Sequence, residues 1–277
     1  MLQRIPPYRD PLVQLLADAL IRGLEIYRKN ATSDVLVEFE CRLGTYSASR
    51  HNFTHPFATN TQTPAVLDTA ASAAPFHFFS GVSQATFHAL HEKLKKTAPA
   101  ACVPSRSTAT LFVHTAGTQR LEYAMNASCS EGQLLSGSEK ERLFVHDVRC
   151  PAWAADFRVC VSRETRIPVK TWDLSTWQLF TPKVSRLRQR KSVRVGALLT
   201  VDLAVVRSFT DHSRIARPLG QQLQLPLISA PYLSHDVELE VNLEALHREV
   251  RRTRLVESTV WHTAQDVLKL IQFLTVK

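Results

Sequence analysis

The chain is poor in cysteine, and its cysteines have none of the spacings that make them structural. The five, Cys41, Cys102, Cys129, Cys150 and Cys160, are odd in number and contain no C-x-x-C pair. That argues against a disulfide framework and a zinc knuckle, and fits a reducing compartment. No apolar run approaches the roughly twenty residues needed to span a bilayer. The opening Met1-Leu2-Gln3-Arg4-Ile5-Pro6-Pro7 lacks the hydrophobic centre of a signal peptide. An intracellular, soluble protein with no membrane partner is expected. The common phosphate-cradling loops, G-x-x-x-x-G-K-[ST] and G-x-G-x-x-G, are absent, as is the G-x-S-x-G elbow of serine hydrolases. His88 and His91 sit on an expected helix without a third ligand, so a surface role suits them better than zinc. There is no internal repeat.

What is present is an ordinary globular composition with a basic excess. At 277 residues, 44% hydrophobic and 21% charged, the chain can bury a real core. Lys and Arg number 34 against 25 Asp and Glu, a formal net charge of +9. Such a surplus favours nucleic acid, nucleotides or an acidic surface as partners, although it would also serve solubility alone.

The expected layout is one α+β domain over residues 1–277. Asp10-Pro11 caps a helix to about Asn30, with Leu12, Leu16, Leu20 and Leu24 on one face. A strand is expected over Val35–Leu43, a long loop over 47–75, and a second helix over Ser83–Lys96. Short strands follow over Ala109–His114, Gln119–Met125, Lys140–Val148, Asp156–Val161, Trp177–Thr181, Arg186–Val195, Leu198–Val206 and His235–Val241. So many short strands suggest a barrel or sandwich. Helical spacing returns from Ser258 to Val276, and Arg248–Arg254 reads as a charged helix or turn, with a nuclear signal as an unspecific alternative.

Two acidic strands point to chemistry. In Val37-Glu38-Phe39-Glu40-Cys41-Arg42-Leu43-Gly44, Glu38 and Glu40 share one face and the apolar residues the other. In Asp236-Val237-Glu238-Leu239-Glu240-Val241 the acids again alternate with apolar residues. Either run alone would suit the wet face of an edge strand. Two runs of one pattern favour a polar β interior, where carboxylates repel unless a cation lies between them. Oxygen ligands of this kind suit Mg²⁺ or Mn²⁺.

Basic residues also recur at strand spacing. Arg186, Arg188 and Arg190 share a face continued by Ser192 and Arg194, and Lys140 with Arg142 forms another pair, as does Arg120 with Glu122. Like charges on one face are unfavourable unless an anion bridges them, and a guanidinium fork matches phosphate. A solvated basic face or an RNA-backbone patch would use the same residues. Glu164 alternates in phase with Arg158 and Ser162, where a carboxylate beside phosphate-binding cations could orient water.

In this order, the elements resemble the fungal and protozoal mRNA-capping RNA 5′-triphosphatases, a branch of the triphosphate tunnel metalloenzymes. The compact size is most like the trypanosomatid members. The resemblance is carried by Glu38-Phe39-Glu40-Cys41-Arg42, by Lys140-Glu141-Arg142 with Asp156–Glu164, and by Arg186-Leu187-Arg188-Gln189-Arg190-Lys191-Ser192. It continues through Val201-Asp202-Leu203 and Asp236-Val237-Glu238-Leu239-Glu240. The chain departs from the family pattern with Ala204 for Thr, Thr200 for a basic residue and Asp236 for Glu.

The resemblance implies an eight-stranded antiparallel barrel, open at both ends, with external helices. It implies Glu38, Glu40 and Glu240 as ligands of Mn²⁺ or Mg²⁺, with Glu238 acting through water. Arg42, Arg120, Lys140, Arg142, Arg158, Arg186, Arg188 and Arg190 would neutralise the triphosphate, and Glu164 would orient water. The implied substrate is the 5′-triphosphate end of RNA, with NTPs as further candidates, in a nuclear enzyme alongside a capping guanylyltransferase. Two alternatives stand beside it: a tunnel-fold enzyme acting on polyphosphate or another small triphosphate, and a non-catalytic RNA-binding β-protein.

Overall fold

A computed structural model describes residues 10–30, 32–48, 63–67, 76–97, 108–115, 118–168, 182–209, 222–224 and 232–276. The chain opens with α1 (Pro11–Asn30), β1 (Val35–Ala48), β2 (Ala65–Leu67), β3 (Phe76–Ser80) and α2 (Gln84–Thr97). Strands β4 (Thr108–Thr115), β5 (Gln119–Met125), β6 (Glu131–Arg149), β7 (Asp156–Ile167) and β8 (Pro182–Val195) follow. The chain then runs through β9 (Leu199–Phe209), β10 (Gln222–Gln224) and β11 (Tyr232–Val241) to helices α3 (Leu243–Thr253) and α4 (Val256–Thr275).

The strands form one antiparallel sheet that closes on itself. Around the ring the order is β1, β7, β6, β5, β4, β8, β9, β11 and back to β1, an eight-stranded barrel. β2 and β10 add to β6, and β3 adds to β1 beyond the end of β11. Closure removes most free edges, which a strongly alternating sheet otherwise exposes to aggregation.

The barrel is polar inside, so its main hydrophobic core lies outside the wall. Val37, Phe39, Cys41 and Leu43 of β1 face outward, as do Phe157, Val159 and Val161 of β7 and Val237, Leu239 and Val241 of β11. They pack with Leu16 and Leu20 of α1 and with Val260, Ala264, Val267 and Ile271 of α4. Asp10 Oδ1 accepts from the Leu12 amide at 2.9 Å and starts α1. Asn242 caps α3, accepting from the Ala245 amide at 2.9 Å. A smaller apolar cluster, Leu111, Val113, Leu121, Tyr123 and Leu187, lies on the outward faces of β4, β5 and β8.

Several boundaries differ from expectation. β1 runs to Ala48 rather than Leu43, because its last residues find a new partner in β3. β6 starts at Glu131 rather than Lys140, and β7 continues past Val161 to Ile167, the two pairing along their length. The expected loop 47–75 contains the short strand Ala65–Leu67, and the strand Phe76–Ser80 follows directly after it. Arg248–Arg254 falls in α3 and its αL C-cap, Arg254. The expected strand Trp177–Thr181 lies outside the described residues.

Candidate active site: a charged barrel interior

Strand alternation sends Glu38, Glu40 and Arg42 inward from β1, and Glu238 and Glu240 inward from β11. The two strands are neighbours rather than opposite walls. Glu40 pairs in register with Glu240, and Arg42 with Glu238. On the far side of β11, Glu238 is level with Asp202 of β9, and Asp202 with Ser192 of β8. The inward polar residues of four adjacent strands thus meet in one band.

Two halves can be distinguished. In one, Lys140 lies 2.7 Å from Glu38, 3.7 Å from Glu40 and 3.2 Å from Glu164. Burial alone would lower the Lys140 pKa, but these three carboxylates raise it above its ordinary value. Arg120 donates to both oxygens of Glu164 at 2.7 and 2.6 Å, bonds Ser138 at 3.1 Å, and lies 4.9 Å from the centre of the Phe112 ring. Glu164 is buried, and Arg120 fixes both of its oxygens.

In the other half, Glu238 is buried between Arg42 and Arg188. Burial opposes its ionisation, but the two guanidinium groups outweigh burial and hold its pKa at about 2. Arg42 Nε is 3.4 Å from Glu238, and Arg188 bonds the same carboxylate directly. Arg190 donates to Asp202 at 3.0 Å, and Arg188 approaches it at 3.7 Å.

Asp202, Glu238 and Glu240 each offer an oxygen within 4.8 Å of the others. Asp202 Oδ1 is buried with no hydrogen-bond partner among the described residues. Glu240 makes no ion pair with a described cation. Burial, then Asp202, Glu38 and Glu238, push its pKa up to about 7. A divalent cation held by the three acids would pair the orphaned carboxylate oxygen and favour ionisation of Glu240. An all-oxygen donor set fits a hard divalent ion.

The remaining expected residues are distributed as follows. Arg158 is held by Asp147 through bonds of 2.6 and 2.9 Å and stacks on Phe78. Arg142 and Arg186 are solvent-exposed, and neither ion-pairs with a described acid. Of the departures from the family pattern, Ala204 is fully buried and lies in register between Arg190 and Asp236, and Thr200 lies between Arg194 and Glu240. The Asp236 pKa is raised by burial and by Glu238, with Ser234 bonding it at 2.9 Å.

Asp202 and Asp147 were not assigned roles from sequence. Asp202 is a single acid between Val201 and Leu203, a pattern that also suits an isolated surface position. Asp147 is out of phase with Lys140 and Arg142, because the register shifts between Arg142 and Phe144. That irregularity turns the odd-numbered residues inward.

No protein-family model matches the chain, and no curated protein matches it in sequence. Solved structures do resemble it. The structure of S. pombe Pct1 RNA triphosphatase superposes with a TM-score of 0.67 at 17% identity, covering 97% of this chain and 94% of that one. The same protein in complex with the Spt5 CTD gives 0.67 at 16% identity over the same shares. A mimivirus capping enzyme triphosphatase covers 87% of this chain and 96% of that one at 10% identity, with a TM-score of 0.44. At such identities the likeness is one of fold: the chain has the closed eight-stranded antiparallel barrel of a tunnel-fold RNA triphosphatase.

Proposed function

We propose that the protein is a divalent-metal-dependent RNA 5′-triphosphatase, removing the γ-phosphate of nascent mRNA as the first step of cap formation. The observation that carries this reading is the trio Asp202, Glu238 and Glu240, with its orphaned oxygen, inside a closed barrel beside Arg188 and Arg190, while Lys140 sits on the neighbouring Glu38 and Glu40. Asp202, Glu238 and Glu240 would hold Mn²⁺ or Mg²⁺, with Glu38 and Glu40 adjacent. Such an ion would supply charge neutralisation at the phosphate oxygens and lower the pKa of a bound water.

The chain's own residues do the rest. Lys140, Arg188 and Arg190 bind and orient the triphosphate, and the exposed Arg142 and Arg186 receive it. Glu164, fixed by Arg120, accepts a proton from the attacking water. Oxygen of that water bonds to the γ-phosphorus as the bond to the β–γ bridging oxygen breaks. Orthophosphate and a 5′-diphosphate RNA leave. Positioning and charge stabilisation account for the rate, as is usual in phosphoryl transfer.

A tunnel-fold polyphosphatase would share these groups; the basic surplus of the chain favours RNA. A plain RNA-binding protein would have no use for buried acids. The capping role implies a nuclear location and a guanylyltransferase that consumes the diphosphate end; the compact size fits the trypanosomatid branch. Among the described residues, no helix is long and apolar enough to cross a membrane. The test is end analysis of triphosphate RNA after incubation with Mn²⁺. A diphosphate end plus orthophosphate supports the reading. A monophosphate end plus pyrophosphate, or no change, overturns it.

A further inference from the structure

The inner wall also carries a histidine. Leu111 and Val113 of β4 face outward into the smaller apolar cluster, so alternation turns Thr110, Phe112 and His114 into the tunnel. Phe112 and His114 are both half-buried, their ring centres 6.5 Å apart. Across the β4–β5 ladder His114 is level with Arg120. Across the β4–β8 ladder it is level with Val184, and the exposed Arg186 is its diagonal neighbour, within reach of a long side chain.

His114 stands outside the acidic band. Along the inner face of β8 the carboxylates fall away: Arg190 is bonded to Asp202 and Arg188 to Glu238, while Arg186 ion-pairs with no described acid. The groups around His114 are cationic or already engaged. Arg120 of β5 is fixed by both oxygens of Glu164. Glu122, the next inward position of β5, is level with Phe112 rather than His114 and is bonded by Ser136 at 3.2 Å. Lys183 of β8 is in phase with the outward Leu187. Burial, then Arg186 and Arg120, push the His114 pKa down to about 4. The imidazole is therefore neutral at pH 7 when only the protein's own charges surround it. No described residue hydrogen-bonds its ring nitrogens.

We propose that His114 is a phosphate-binding residue of the tunnel, which takes up one proton as a phosphate chain enters and pairs with that chain as the imidazolium. This rests on the triphosphatase reading and adds to it a contact and a pH dependence. The negative charges of the chain oppose the field of Arg120 and Arg186, and an anionic acceptor favours the protonated ring. Together with Arg186, His114 would hold the phosphates on the nucleoside side of the γ-phosphate, away from Asp202, Glu238 and Glu240. The proton comes from solvent to a ring nitrogen and returns there when the product leaves. Because the complex holds this proton more tightly than the free protein, the affinity gained from His114 is greatest at low pH. It is lost as pH rises through the value His114 has in the complex.

Two measurements on the full chain with inorganic tripolyphosphate, without added metal, test this. In the first, histidine ring signals are followed by NMR from pH 5 to 8, that of His114 being identified by its loss in His114→Gln. With saturating tripolyphosphate, wild-type His114 should titrate at least one pH unit higher than without it. In the second, calorimetry compares wild type with His114→Gln, so that titration of the probe itself is common to both. Wild type should bind at least fivefold more tightly at pH 5.5 and within twofold of the variant at pH 8.5. His114→Asn replaces the Gln variant if the latter melts early. An unmoved His114 titration, no binding of tripolyphosphate, or a wild-type advantage of equal size at both pH values overturns the proposal. The triphosphatase reading fails separately, if His114 takes up its proton with tripolyphosphate yet triphosphate RNA releases no orthophosphate with Mn²⁺.

Discussion

Glu40 lies directly across the β1–β11 ladder from Glu240, two carboxylates in register on the inner wall of the barrel. Like charges placed so are unfavourable. Arg42 relieves Glu40 at 3.0 Å, while Glu240 has no such partner among the described residues. With its pKa raised from 4.5 to about 7, Glu240 binds its proton more tightly folded than unfolded. Its contribution to stability is therefore fully present below about pH 4.5 and is lost as pH rises to about 7. Metal-free Glu240→Gln should lack this loss and melt no lower than wild type above pH 7, by a margin of about 3 kcal/mol at most. Thermal melts from pH 4 to 8 in chelator check it. A grossly destabilised Gln variant would mark Glu240 as a structural partner.

Metal should stabilise the folded protein by mass action. Mn²⁺ is expected to raise the melting temperature of wild type and to raise it much less for Asp202→Asn and Glu240→Gln. Activity should be abolished in Asp202→Ala, Glu38→Ala, Glu40→Ala and Glu240→Ala, with fold retained by circular dichroism. Identical metal-induced shifts in wild type and both amide variants would remove the trio from consideration as an ion site.

Arg120 and Arg188 should fail differently. Arg120 is engaged by Glu164, so Arg120→Ala should lower kcat about a hundredfold with KM changed less than threefold. Arg188, placed to meet phosphate, should raise KM when replaced by Ala. Glu164→Gln should lower kcat by about 10²–10⁴, the usual contribution of a positioned base. Steady-state kinetics on triphosphate RNA decide this. A KM effect confined to Arg120 would make it the phosphate contact instead.

Binding should depend on the 5′ end more than on RNA length. Several guanidinium–phosphate contacts are concentrated in the tunnel, so tripolyphosphate should displace triphosphate-ended RNA while 5′-hydroxyl RNA of equal length competes poorly. Arg188→Ala and Arg190→Ala should erase the preference and leave weak, salt-sensitive binding. Equal competition by the 5′-hydroxyl RNA would favour a general RNA-binding surface.

The acids and bases of single strands were legible because alternation alone assigns a face: Glu38 with Glu40, Glu238 with Glu240, Arg188 with Arg190. Which of them meet was not, because that depends on ring closure and register. The Glu40–Glu240 pairing, the Arg120–Glu164 clasp and the place of Asp202 beside Glu238 arise only when neighbouring strands align. Asp147 was hidden by the register shift in β6, which reverses the alternation that exposes Lys140. Phe78 was hidden because its strand is short and owes its place to the bare backbone of Gly44.

Phosphate release from γ-labelled triphosphate RNA, with Mn²⁺ and with excess chelator, tests the central claim most directly. The account predicts orthophosphate release by wild type with Mn²⁺, none in chelator, and none from Glu240→Ala in either condition. Full turnover in chelator, or undiminished turnover by Glu240→Ala, would contradict it.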